Sequence, residues 1–146
     1  MVRKRSVGVD DVTKILRDLK CDDWMIRQEA VGRIGRLKDP AALSDLLFRL
    51  PKEKWYIREM VAAGIRSINN PDLAGPLTQG LVSGDDCTRN ACARALGIIG
   101  CQDAADLLKK AAADPDSRVR KTARTSLELI QEYDPKKPDR MNPVPQ

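Results

Sequence analysis

Histidine is absent from the 146 residues. Without it there is no imidazole general acid or base, no His-dependent triad and no His-based metal site. Long apolar runs are missing too: no stretch approaches the roughly 18 to 20 residues that a membrane span needs. No apolar run follows Met1-Val2-Arg3-Lys4-Arg5, so a secretory signal is not expected and a cytoplasmic location is. The four cysteines, Cys21, Cys87, Cys92 and Cys101, form no CxxC pair, which leaves zinc-site spacing unmet and free thiols as the expected state. What is present, 42% hydrophobic and 32% charged residues, fits one globular domain with a tail.

The net charge of +5 is unevenly spread. Arg3, Lys4 and Arg5 lie near one end and Lys136, Lys137 and Arg140 near the other, while residues 10–133 hold 20 basic and 19 acidic side chains. A nucleic-acid-binding body carries its positive charge on the folded surface, so this distribution argues weakly for nucleic acid, and then only through the ends.

Self-comparison shows a period. Arg27, Arg58, Arg89 and Arg120 recur every 31 residues. One position before each stand Ile26, Ile57, Thr88 and Val119; three after stand Ala30, Val61, Cys92 and Ala123. Seven after come Ile34, Ile65, Leu96 and Leu127, and ten after Leu37, Ile68, Ile99 and Ile130. These offsets trace one face of an α-helix. A second helix lies upstream in each unit: Val12, Leu43, Ala74 and Ala105 share a slot, then Ile15, Leu46, Leu77 and Leu108, then Leu19, Leu50, Leu81 and Ala112. Breaker-rich links such as Ser83-Gly84-Asp85 and Asp114-Pro115-Asp116 separate the two helices. Pro40 and Pro71 suit helix openings, and Asp23, Asp85 and Asp116 suit caps. Gly75-Pro76 predicts a short or kinked first helix in the third unit.

The expectation is therefore an all-α chain: an α-solenoid of four helical hairpins, eight helices in all, because one hairpin cannot bury its own stripe but a stack can. Its organisation reads as a basic segment at 1–9, a repeat domain at 10–133 (units near 10–38, 39–69, 70–100 and 101–133) and a disordered Pro-rich tail at 134–146.

Asp23-Trp24-Met25-Ile26-Arg27-Gln28-Glu29-Ala30 with Ile34-Gly35, Arg89-Asn90-Ala91-Cys92 with Leu96-Gly97, and Val119-Arg120 with Ala123 resemble the short HEAT-like repeat named after phycobilisome lyases. The second unit departs, with Lys54 in the Asp slot and Arg66 in the Gly slot. The resemblance implies a solenoid fold and serves many unrelated roles. The deoxyhypusine hydroxylase branch of such repeats is excluded, since its His-Glu metal motifs have no counterpart here.

Judged slot against slot, Arg27, Arg58, Arg89 and Arg120 sit about 65° from the centre of the apolar face at ~100° per residue. A structural ladder, bonding carbonyls or an Asp of the neighbouring hairpin, outweighs an anion-binding row. The outward face of the second helices takes Gln28, Glu59, Asn90 and Lys121, then Gly32, Ala63, Arg94 and Thr125, then Gly35, Arg66, Gly97 and Glu128. In resembling solenoids this face lines the concave groove, and its mixed, shallow character suits a protein segment better than a phosphate backbone. Trp24 and Trp55 share a slot that later holds Asp86 and Ser117, with Tyr56 beside the second. Either both rings pack over loops in the core of the first half, or they form an exposed binding ridge.

The expected function is a non-enzymatic protein–protein interaction module, a scaffold, adaptor or assembly factor. Its candidate partner-binding residues are Trp24, Trp55, Tyr56, Gln28, Glu59, Arg66, Asn90, Arg94 and Lys121. No catalytic, metal or cofactor site is expected. The alternatives are nucleic-acid binding through the basic ends, or a lyase- or chaperone-type accessory role.

Overall fold

A computed structural model describes residues 7–132. Among these, eight α-helices follow one another with no strand: α1 (Val7–Leu19), α2 (Trp24–Gly35), α3 (Pro40–Arg49), α4 (Trp55–Ile65), α5 (Ala74–Ser83), α6 (Asp86–Ile99), α7 (Ala105–Ala111) and α8 (Ser117–Glu132). Single 3₁₀ turns precede or follow some of them, at Leu50–Lys52, Pro71–Leu73 and Gln102–Ala104. α1 packs with α2, α5 with α6 and α7 with α8 as hairpins, whereas α3 and α4 make few contacts with each other. Even helices stack on even ones (α2 on α4, α4 on α6, α6 on α8) and odd ones on odd. The molecule is an all-α solenoid of two layers. No described helix is long and apolar enough to cross a membrane.

Local sequence explains where the helices start. Asp23 accepts a hydrogen bond from the Met25 amide at 2.8 Å, Asp85 from Thr88 at 2.9 Å and Asp116 from Arg118 at 2.8 Å, so three of the four second helices carry an aspartate cap. Lys54 occupies that place before α4 and caps nothing. Pro40 is the first residue of α3, behind an Asp39 cap. Gly75-Pro76, where a short or kinked helix is expected, falls in the first turn of the ten-residue α5. A 3₁₀ turn at Pro71–Leu73 delays the start of α5 to Ala74, which puts Pro76 in the first turn, where its missing N–H breaks no bond.

The stripes become the core. Ile15, Leu46, Leu77 and Leu108 of the first layer are buried against Ile34, Ile65 and Leu96 of the second. Each such side chain contributes about 1.5 to 3 kcal/mol by leaving water. Ile57, Thr88 and Val119 are buried, but Ile26, in the same slot, is 40% exposed. That slot packs on the preceding unit's second helix, and α2 has none before it. Leu127, at the other end, is only half-buried for the matching reason.

Close approach of the second helices is built on glycine. A Cβ on Gly64 would lie 2.6 Å from that of Ile34, and one on Gly97 would overlap Ser126. Ser126 in turn donates to the Ala93 carbonyl at 2.7 Å. Gly97, placed by its spacing on the outward face, is therefore turned into the α6–α8 seam and buried. Gly35 leans the same way, toward Ser67.

Candidate interaction surface

All four aromatic side chains within the described residues are on the surface: Trp24 is 63% exposed, Phe48 78%, Trp55 69% and Tyr56 42%. The core holds none. Trp24 and Trp55 open α2 and α4 directly after the link of each hairpin, so of the two readings of this slot the packed one fails: the rings lie along one edge, one unit apart. Trp55 and Tyr56 meet edge to face, ring centroids 6.0 Å apart at 88°, which holds the pair as one apolar block.

Phe48 was not anticipated. Its slot in the other units holds Arg17, Gln79 and Lys110, so comparison by period marks it as exposed too. It stands over a groove of about 1050 Å³ between α3 and α5, lined by Ser44, Leu47, Phe48, Arg58, Ser83 and Asp85 among others. Gly80 forms part of the lining, and a Cβ there would lie 2.6 Å from Cys92 Sγ. The charges around this groove are matched internally: Arg49 with Asp45 at 2.8 Å and Arg58 with Asp85 at 2.8 Å.

The arginine ladder has the geometry of a brace. In each unit one guanidinium nitrogen donates to carbonyls of its own link: Arg27 to Cys21 and Asp22, Arg58 to Glu53, Arg89 to Gly84, and Arg120 to Asp114 and Pro115. The two middle members also reach the next unit. Arg58 pairs with Asp85, and Arg89 forms a two-pronged pair with Asp114 at 2.8 and 2.9 Å. Hydrogen bonding to Arg89 holds the Asp114 carboxyl below its ordinary range, as Arg33 does for Asp18. Ahead of Arg27 the equivalent slots hold Lys52 and Lys54, and the bridge is not made.

Glu59, Gln28 and Lys121 are exposed on the second-helix layer, as is Arg94; Asn90 and Arg66 are half-buried there. Glu59 accepts a hydrogen bond from the Cys87 thiol at 2.8 Å. Burial and that carboxylate push Cys87 up to about 11, away from a reactive thiolate. Burial, helped by the Asp85 carboxylate, takes Cys92 up to about 12. Among the described residues no group of three His, Cys, Asp or Glu side chains is placed to hold a metal. The basic residues Arg3, Lys4, Arg5, Lys136, Lys137 and Arg140 lie outside the described residues.

Residues 44–128, from α3 into α8, match the family model of HEAT repeats. The match is to the repeat as such, and nothing in it is specific to the phycobilisome lyase branch. No curated protein matches the chain.

Proposed function

Because the chain belongs to the HEAT-repeat family, whose repeats mediate protein–protein interaction, we propose that it is a non-enzymatic scaffold, adaptor or assembly factor that grips a protein partner through its aromatic edge and second-helix face. One observation carries this reading: every described aromatic ring is exposed, and none contributes to the core. Trp and Tyr are costly to leave in water and enriched where partners bind. Small residues between the candidate contacts, such as Gly32 and Ala63, leave room for a helix or extended segment to lie across the second layer.

The test is the double variant Trp24→Ala/Trp55→Ala. It should keep the helical circular dichroism and melting of the wild type, because neither ring supports the core, and lose the partner that the wild type captures at high salt. Retention of that partner by a folded double variant overturns the proposal.

A further inference from the structure

Among the described residues α2 has no second helix before it and α8 none after it. The inner seams show what such end faces are built to meet. Arg58 and Arg89 spend Nη1 on carbonyls of their own link. Their remaining guanidinium nitrogens reach an acid in the link of the next unit, Asp85 for Arg58 and Asp114 for Arg89. Only the α2–α4 seam, with Lys52 and Lys54 ahead of Arg27, lacks this brace. Arg120 of the last unit also holds its own link through Nη1, on the Asp114 and Pro115 carbonyls. Its Nε and Nη2 reach no carboxylate among the described residues.

The matching acids stand at the other end of the stack. Asp23 occupies the slot of Asp85, and each spends Oδ1 on capping the helix that follows. Asp85 gives Oδ2 to Arg58, whereas Asp23 and its neighbour Asp22 meet no cation among the described residues. The other charges of the α2 end are closed pairs, Asp18 with Arg33 and Glu29 with Arg36. At the α8 end Arg120, Lys121 and Arg124 stand against Glu128 alone. The first layer is near balance at both ends, with Arg17 beside Asp18 on α1 and Lys109 beside Asp106 on α7. Apolar positions follow the same division. Ile26 is exposed where Ile57, Thr88 and Val119 are covered, and Leu127 is half-buried where Ile34, Ile65 and Leu96 are fully buried.

Independently of the captured partner, we infer that the chain stacks end to end on a second copy of itself, α8 of one copy against α2 of the next. Arg120 and Lys121 meet Asp22 and Asp23 of the second copy, and Leu127 meets its Ile26. Both halves of the joint are carried by one chain, in the slots that the inner seams already pair, and this selects a second copy as the occupant. Charge sets the direction: two α2 ends would oppose their acids, and two α8 ends their cations. The contact is heterologous, so copies add one after another. Arg33 stands where later units have Gly64, Ala95 and Ser126. The copies therefore meet less closely than units do, and the joint is reversible.

Sedimentation velocity of the pure chain, up to about 1 mM, tests this. The mean mass of the wild type should rise with concentration and fall with added salt. Arg120→Glu/Lys121→Glu spoils the α8 end and Asp22→Lys/Ile26→Lys the α2 end. Each should weaken self-association at least about tenfold while keeping the helical circular dichroism. An equimolar mixture of the two should form a one-to-one complex that grows no further, because each variant retains the end that the other has lost. Lys121→Glu/Arg124→Glu leaves the carbonyl bonds of Arg120 in place and should act as the first variant does, which separates charge from folding. The proposal is overturned if the wild type stays monomeric throughout, if either variant alone associates as the wild type does, or if the mixture forms no complex.

Discussion

The first two and last two hairpins are built on the same 31-residue unit, yet they spend their variable positions differently. In the first half the second helices open on Trp24 and on Trp55 with Tyr56, and Arg27 reaches no carboxylate of the next unit. In the second half those aromatic slots revert to Asp86 and Ser117, Arg89 clasps Asp114, and Ser126 closes over Gly97. The brace to the next unit is open ahead of Arg27, while Arg58, in the unit of Trp55 and Tyr56, already pairs with Asp85. A solenoid's stability is close to a sum of neighbour terms, so one interface can be left weaker while its neighbours hold the stack, and that freedom is where binding residues collect.

The sharpest way to break the comparison is at the glycines. Gly97→Val should cost about 3 kcal/mol by overpacking the α6–α8 seam, read as a drop in urea midpoint. Gly32→Ala should instead gain about 0.5 to 1 kcal/mol from helix propensity, because its new Cβ meets only the movable tip of Arg36. Next come the braces. Arg89→Ala removes a half-buried two-pronged pair and a carbonyl bond, and should cost about 2 kcal/mol. Arg27→Ala, losing carbonyl bonds alone, should cost about 1 kcal/mol. Equal losses in thermal melts of the two variants would contradict the asymmetry.

Lys54→Asp would give α4 the cap its sister helices have and put a carboxylate ahead of Arg27. It should stabilise by about 1 kcal/mol and bring the first half nearer the second. The smallest effect is acid sensitivity. Asp114 and Asp18 titrate below their ordinary value in the folded chain. Their stabilisation is therefore fully present above the unfolded carboxylate value of about 4 and is lost as pH falls below it. Urea midpoints at successive pH values should fall in that range, and Asp114→Asn should flatten part of the fall.

Much of this was legible because a repeat supplies its own controls. Each arginine could be judged against three equivalents, and the Asp caps and the half-buried ladder stand where that comparison put them. Ile26 was misplaced because a slot records what a position usually meets, and the first unit has no predecessor to meet. At Gly75-Pro76 a 3₁₀ turn sets the start of α5 at Ala74, a shift too small for the pattern to register. Phe48 stood in a polar slot and was readable by the argument applied to Trp24. The groove beneath it was not, since it depends on how closely α5 comes to α3 and on Gly80 facing Cys92. The seam positions of Gly35 and Gly97 were hidden for the same reason: period gives the face of a helix, and only packing gives its neighbour.

Hydrogen exchange of the free chain and of its complex with the captured partner tests the central claim most directly. The account predicts new protection in the first turns of α2 and α4, residues 24–27 and 55–58, beside Trp24, Trp55 and Tyr56. Protection confined to residues 1–6 and 134–146, with those turns exchanging as in the free chain, would contradict it and move binding to the basic ends.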